Sequence, residues 1–192
     1  MNILLLGPQG AGKGTQAKRI AAEYGLPHIA TGEMLRHAIA AGTPLGRKVK
    51  PIYDSGGLVP DDLMIELIRE RLSEPDAAEG FVLDGFPRTF VQAEALDAML
   101  REIDRPLSLV LELQVPDEVA IERLSRRAEI EGRADDTPEA IQRRLSLYHE
   151  ETEPLVEYYR SRGNVVGIHG DRSENAVFAE IQQALEQAGA VA

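Results

Sequence analysis

The sequence predicts an α/β fold, with a parallel five-stranded sheet flanked by helices. Three observations carry this prediction. Short apolar runs alternate with longer amphipathic segments along the chain, the order that builds a parallel sheet covered on both faces. The runs are bounded by glycine, proline or charge, as strands are. The first run leads through a glycine-rich stretch directly into an apolar-periodic segment, giving a strand–turn–helix unit.

In chain order, strands are expected at Asn2–Leu6, Pro27–Ala30, Phe81–Asp84, Ser108–Val115 and Asn164–Ile168. Ala17, Ile20 and Ala21 set the apolar period of the first helix. Asp61 and Asp62 open a later helix, placed to suit its positive N-terminus, and Leu63, Leu67, Ile68 and Leu72 keep one face apolar. Thr137-Pro138-Glu139 opens another, with a hydroxyl cap and then proline at the first helical position. Pro154 falls inside that long pattern and should bend or end it. Two segments depart from the core pattern. The stretch from Ala41 to Gly57 is broken by turn residues, and RRAEIEGRADD (Arg126–Asp136) is charged, interrupted by glycine and holds one isoleucine. By composition both are expected as surface loops.

The chain has 192 residues, enough for one domain with a sizeable core. It has no cysteine, which excludes disulfides and thiolate metal sites. The apolar run after Met1 is too short for a signal segment or a membrane span, so a soluble, cytoplasmic protein is expected, with no membrane partner. Net charge is −11, and no basic run offsets it, which argues against nucleic acid as a partner. Arginine outnumbers lysine 17 to 4. The ratio by itself points to no function; the placement of the guanidinium groups, which grip phosphate bidentately, is the informative part.

GPQGAGKGT (Gly7–Thr15) is one residue away from the phosphate cradle GxxxxGK[ST]. It follows a strand and precedes a helical pattern, the context that the motif requires. Its glycines let backbone N–H groups turn toward an anion, and Lys13 adds a mobile charge for the outer phosphates. A glycine-rich turn with no ligand is the plain alternative, and spacing, lysine and context all weigh against it. The departure is Gly14, which stands where a hydroxyl would bind Mg²⁺ directly; the hydroxyl comes one residue later, at Thr15. Mg²⁺ is therefore expected on nucleotide oxygens and waters, with Asp84, at the end of its strand, placed to orient those waters.

Taken with TGEMLR (Thr31–Arg36), GGLVPD (Gly56–Asp61), LDGFPRT (Leu83–Thr89) with Gln92, and GRADD (Gly132–Asp136), the chain resembles the bacterial adenylate kinases of the short-lid type. The resemblance spans nearly its whole length. It implies a P-loop NTPase-type sheet with two small insertions: a core of residues 1–29, 60–125 and 137–192, an NMP-binding segment at 30–59, and a short lid at 126–136. It implies reversible Mg-dependent transfer, ATP + AMP = 2 ADP, in adenine nucleotide homeostasis, by a monomer whose partners are ATP, AMP and ADP. On the donor side it assigns Gly10, Ala11, Gly12, Lys13, Gly14 and Thr15 to the ATP phosphates, Arg123 and Arg127 to gripping them, and Arg172 to the ATP base. On the acceptor side it assigns Thr31, Arg36, the Gly57-Leu58-Val59 backbone, Gly85, Phe86, Pro87, Arg88 and Gln92 to AMP, with Arg36 and Arg88 on its phosphate. The Gln92 amide has the donor and acceptor needed to read an adenine edge. Arg133 and Arg144 are matched to arginines that meet the transferring group and the AMP phosphate. Phe86-Pro87 resembles a family turn that often carries a cis bond.

Two departures matter. Many bacterial relatives have a longer lid holding zinc on four cysteines; here it is short and cysteine-free, so no structural zinc is expected. Gly57 stands where relatives often carry lysine or glutamine, so only a backbone contact can operate there.

The chemistry agrees with the resemblance. A phosphate acceptor is largely ionised near neutral pH, because its second pKa is about 6, so no general base is needed and none is evident. The histidines His28, His37, His149 and His169 are scattered and read as core or surface residues. In-line positioning and cancellation of charge fall to Lys13, Mg²⁺ and the arginines. Arg126, Arg143, Arg160 and Arg162 read as solvated surface charges. Gly132 offers a hinge for a lid that excludes water. A UMP/CMP kinase is the nearest alternative; those relatives usually carry Ala at the position of Thr31 and lack the GFPRTxxQA spacing of Gly85–Ala93. A nucleotide switch would need a guanine-reading Asn-Lys-x-Asp stretch, which is absent.

Overall fold

The computed structural model describes residues 1–189, so the last three residues of the expected core lie outside it. Strands β1 (Asn2–Leu6), β2 (His28–Ala30), β3 (Phe81–Asp84), β4 (Leu109–Gln114) and β5 (Val165–His169) make one parallel sheet in the order β2-β3-β1-β4-β5. Each predicted run is a strand, with ends differing by a residue. Pro27 falls outside β2 because it has no N–H for the ladder, although its carbonyl accepts from the Val82 amide at 2.9 Å.

All five residues of β1 are buried, and their alternation feeds two cores. Leu4 and Leu6 join Leu83 and Val110 under α4 (Asp61–Leu72), α5 (Phe90–Glu102) and α8 (Pro154–Arg160). Ile3 and Leu5 join Val82 and Leu111 under α1 (Lys13–Tyr24) and α9 (Glu174–Gln187). A parallel sheet buried on both faces needs such unbroken apolar strands. Because the strand order reverses around β1, a crevice opens at the carboxyl ends of the strands, where β1, β3 and β4 terminate.

The helix signals act as read. Thr137 caps α7 (Pro138–Leu147), its side chain accepting from the Ala140 amide. The pattern then loosens through a π-helical turn at Tyr148–Thr152, and Pro154 takes the first position of α8, where its missing N–H is no loss.

Neither segment expected as a loop is one. The Ala41–Gly57 stretch contains α3 (Pro44–Asp54), which is capped by Thr43 and packs against α2 (Thr31–Ala40). Gly46, taken for a turn residue, marks where the two helices touch: a Cβ there would lie 2.0 Å from the Ala38 carbonyl oxygen. Val49 is fully buried. Helix α6 (Asp117–Glu131) runs on through Arg126, stops at Gly132, and is followed by a 3₁₀ turn at Ala134–Asp136. Arg126, Glu129 and Glu131 are exposed on this helix, with Arg126 paired to Glu122 one turn back, while Arg127 turns inward to Asp136.

Candidate active site

The glycine-rich stretch turns between β1 and α1. Gly10 adopts φ 83°, and a Cβ on it would lie 2.6 Å from the Ala120 carbonyl oxygen, so only glycine fits between the loop and α6. The first α1 bond runs from the Gln16 amide to the Gly12 carbonyl. The amides of Lys13, Gly14 and Thr15 therefore lack intrahelical partners at an N-terminus that lines the cleft, the arrangement that binds anions. Lys13 folds back over the loop, its Nζ donating to the carbonyls of Gly7 at 2.7 Å and Pro8 at 2.9 Å. Burial lowers its ammonium pKa to about 8, against the opposing pull of Asp84.

Asp84 ends β3 on the far side of the loop. A Cβ on Gly14 would lie 3.8 Å from its Oδ2, so a hydroxyl at position 14 would enter the space between loop and carboxylate. Burial pushes the Asp84 carboxyl up, but His28, Lys13 and Arg88 outweigh it and leave the pKa below the ordinary value. His28, expected among the ordinary core or surface histidines, stands in the cleft wall, with Nε2 3.6 Å from Asp84 Oδ2 and no hydrogen-bond partner among the described residues.

The acceptor-side motifs converge on one wall. Thr31 donates to the Asp84 carbonyl at 3.4 Å, and Arg36 donates to the Tyr53 hydroxyl at 2.8 Å. Gly57, Leu58 and Val59 line the wall, as do Gly85, Arg88 and Gln92. Arg88 is held by its Nε donating to the Gly85 carbonyl at 2.9 Å; burial lowers its pKa, with the Arg144 charge adding to the effect. Phe86 and Pro87 do not line the cleft. Phe86 is buried in the core, the bond between the two is cis, and Pro87 faces a small cavity behind the loop. Gln92 is buried, and its amide already has protein partners: Oε1 accepts from the Arg88 amide at 2.8 Å, and Nε2 donates to Asp61 Oδ1 at 2.9 Å. Arg143, read as a surface charge, donates to Ser55 Oγ, and its Nη2 stands 3.2 Å from where a Cβ on Gly57 would be.

The remaining arginines come from α6, α7 and the loops beside them. Arg123 donates to the Gly170 carbonyl at 2.9 Å, spanning from α6 to the end of β5 beside the phosphate loop. Arg127 makes two 2.6 Å bonds to Asp136. Arg144 is buried and donates to Asp136 at 3.1 Å, Asp135 at 2.7 Å and the Tyr53 carbonyl of α3 at 3.3 Å. Burial pushes the Asp135 carboxyl up, and the charge and bond from Arg144 pull it below the ordinary value. Arg133 pairs with Glu131, and Arg172 pairs with Glu180. Tyr53 joins Arg36 to Arg144, a link without a signal in the sequence, where the turn residues of Ala41–Gly57 hide α3.

The phosphate loop, Asp84, Arg36, Arg88, Gln92, the arginines of α6, Arg144 of α7 and the loop arginines Arg133 and Arg172 border one cleft of about 520 Å³. Its lining holds eight arginines (Arg36, Arg88, Arg123, Arg126, Arg127, Arg133, Arg144 and Arg172), two lysines (Lys13 and Lys18) and four carboxylates (Glu33, Asp84, Glu131 and Glu174). In a chain of net charge −11, that local excess of cations selects a polyanionic ligand. The sheet, the loop and this cleft define a phosphate-loop nucleotide-binding protein of the phosphotransferase class.

Comparison with known proteins is consistent with the geometry. The family profile described as "Adenylate kinase" matches residues 5–164. Among curated relatives, the adenylate kinases of Thermus thermophilus and Maricaulis maris are each 51% identical to this chain. The former alignment covers 95% of this chain and 96% of that protein; the latter covers 97% and 100%. The adenylate kinase of a Cyanothece species is 50% identical over 96% of this chain and 95% of its own length. The chain belongs to the adenylate kinase family.

Proposed function

We propose that the protein catalyses reversible phosphoryl transfer, ATP + AMP = 2 ADP, as a cytoplasmic monomer. The observation that carries this reading is one cationic cleft with the phosphate loop at one end and the Arg36–Arg88–Gln92 wall at the other. A cleft with two such phosphate-holding walls suits two phosphate-bearing ligands.

In this reading residues 30–59 form the acceptor segment, 126–136 the short lid, and the rest the core. The free amides of Lys13, Gly14 and Thr15, with Gly10, Ala11 and Gly12, cradle the donor phosphates. Lys13 leaves its two carbonyl partners to meet them, and the added negative charge restores its full positive charge. Arg123 and Arg127 grip the donor phosphates, and Arg172 covers the donor base. Thr31, Arg36, Arg88, Gln92 and the Gly57–Val59 backbone hold AMP. Arg133 and Arg144 reach the transferring group as the lid closes, and closure excludes water, which would otherwise accept the phosphoryl group.

Mg²⁺ suits the residues present. Asp84 stays ionised and faces the loop across the gap that Gly14 leaves, and among the described residues no group of three or more ligating side chains competes for a metal. Asp84 would orient metal-bound waters, and the ion would supply charge cancellation on the phosphate oxygens. No side chain moves a proton, because the acceptor oxygen is already ionised.

The test is steady-state transfer from Mg-ATP to AMP, UMP, CMP or water. Rapid ADP formation with AMP alone is expected. Preference for a pyrimidine monophosphate would overturn the acceptor assignment, and ADP release with water alone would show that the short lid does not seal the site. Arg88→Ala should lose most of the activity while remaining folded by circular dichroism; near-normal turnover would remove Arg88 from the mechanism.

A further inference from the structure

Asp61, the first residue of α4, does not line the cleft, yet its Oδ1 is the meeting point of two hydrogen bonds. It accepts from Thr89 Oγ1 at 2.9 Å and from Gln92 Nε2 at 2.9 Å. Thr89 is the N-cap of α5 and accepts in turn from the Gln92 backbone amide at 3.3 Å. On the other side of the Gln92 side chain, Oε1 accepts from the Arg88 amide at 2.8 Å.

These contacts fix which end of the Gln92 amide is which. A carboxylate can only accept and a backbone N–H can only donate, so the NH₂ group must face Asp61 and the oxygen must face Arg88. Turning the amide end for end would set oxygen against carboxylate and NH₂ against N–H. Each end keeps one group in reserve: a second N–H on Nε2 and a second lone pair on Oε1. Gln92 borders the cleft, so the reserve pair meets a ligand in a fixed donor–acceptor order.

A 6-aminopurine offers a donor at its exocyclic nitrogen and an acceptor at N1. A 6-oxopurine offers the reverse: an acceptor at O6 and a donor at N1–H. A glutamine free to turn serves either base in the same pose; one held in place serves only the base whose order matches it in that pose, which on the reading that Gln92 meets AMP is the first. Resting on the reading that Gln92 meets the acceptor base, we propose that Asp61 is a specificity-determining positioning residue: by holding the Gln92 amide in one orientation, it sets the acceptor site for 6-aminopurine over 6-oxopurine monophosphates. Asp61 touches no substrate and acts through Gln92.

The experiment measures kcat/KM for AMP and for IMP at saturating Mg-ATP in the wild type, Asp61→Ala and Asp61→Asn. IMP is the probe because it reverses the donor–acceptor order and lacks the 2-amino group that would add a size difference. The wild type should prefer AMP. In Asp61→Ala the AMP-to-IMP ratio should fall about tenfold or more, the scale of one lost bond to a charged group. It should not vanish, because the Arg88 amide remains, and the KM for ATP should hold. Asp61→Asn keeps an oxygen that can accept both bonds but can itself turn, so the ratio should fall less than in Asp61→Ala. The ratio is insensitive to partial unfolding, since both acceptors are measured on the same folded fraction. A ratio unchanged in Asp61→Ala, including equal losses with AMP and IMP, overturns the proposal and leaves Asp61 a structural role. A wild type that uses AMP and IMP equally overturns the acceptor-base reading itself.

Discussion

At the scale of single residues, Lys13 shows how the fold arms a side chain before its ligand arrives. It is half-buried against the loop, its pKa is lowered to about 8, and two carbonyls hold its charged form. A lysine with a lowered pKa binds its proton less tightly folded than unfolded. The fold without nucleotide should therefore gain stability as pH rises from about 8 toward 10.5. NMR of the lysine side chains should show one of the four titrating near pH 8 in the free protein, and moving upward when a nucleotide binds. Lys13→Met should lose about 10²- to 10³-fold in kcat, the scale for removing one preorganised charge-stabilising group, without loss of melting temperature. An undiminished kcat would mean that the loop amides alone neutralise the donor phosphates. Gln92 teaches a related point. Its identity is legible in the sequence and so is its capacity to read a base edge, but its protein partners are not, because Asp61 lies 31 positions away.

At the scale of elements, two contacts between segments set local stability. Gly46 lets α3 cross α2 at backbone contact, so Gly46→Ala should cost about 1–3 kcal/mol in urea unfolding, as overpacking a tight site does. An unchanged midpoint would show that the crossing yields at no cost. His149, in the π-helical turn, faces Glu153 at 2.7 Å and Asp117, the first residue of α6, at 3.0 Å. The Glu153 bond, with Asp117 assisting, raises its pKa above the ordinary histidine value. A raised folded-state pKa gives stability that is full below the unfolded value near 6.5 and lost as pH rises through the folded value. Melting temperatures from pH 5.5 to 9 should fall more steeply in the wild type than in His149→Gln. Parallel curves would show that water screens the pair completely, an outcome that its surface position makes a fair test.

At the scale of the whole molecule, the decisive feature is the junction at Arg144. From α7 it holds Asp135 and Asp136, which follow α6, and the Tyr53 carbonyl of α3. The two segments proposed to cover the cleft are thereby joined through one buried guanidinium. Removing one partner from such a network leaves a charge buried and half satisfied. Asp136→Ala should cost about 3–5 kcal/mol by denaturant unfolding, and adding Arg127→Met should cost less than the two losses summed. Strict additivity would show that Arg127, Asp136 and Arg144 do not act as a unit.

The sequence by itself determined the strands, the phosphate loop and the order of the motifs. Each rests on local chemistry: apolar runs that can only be buried, glycines and a lysine in fixed spacing, and a hydroxyl and a proline at a helix start. It misread Ala41–Gly57 and Arg126–Glu131, where turn residues and charges masked a helical period. In the first, the reason for glycine lay in a neighbouring helix; in the second, most of the charges proved to be the wet side of α6, with Arg127 turned inward to Asp136. Only the tertiary structure decided which arginines stand together, that Phe86 turns into the core, that His28 stands beside Asp84, and which way round the Gln92 amide is held. These depend on contacts between residues far apart in the chain. The direction of a hydrogen bond and the burial of a charge belong to a pair of groups, and the pair exists only once the sheet has brought its members together.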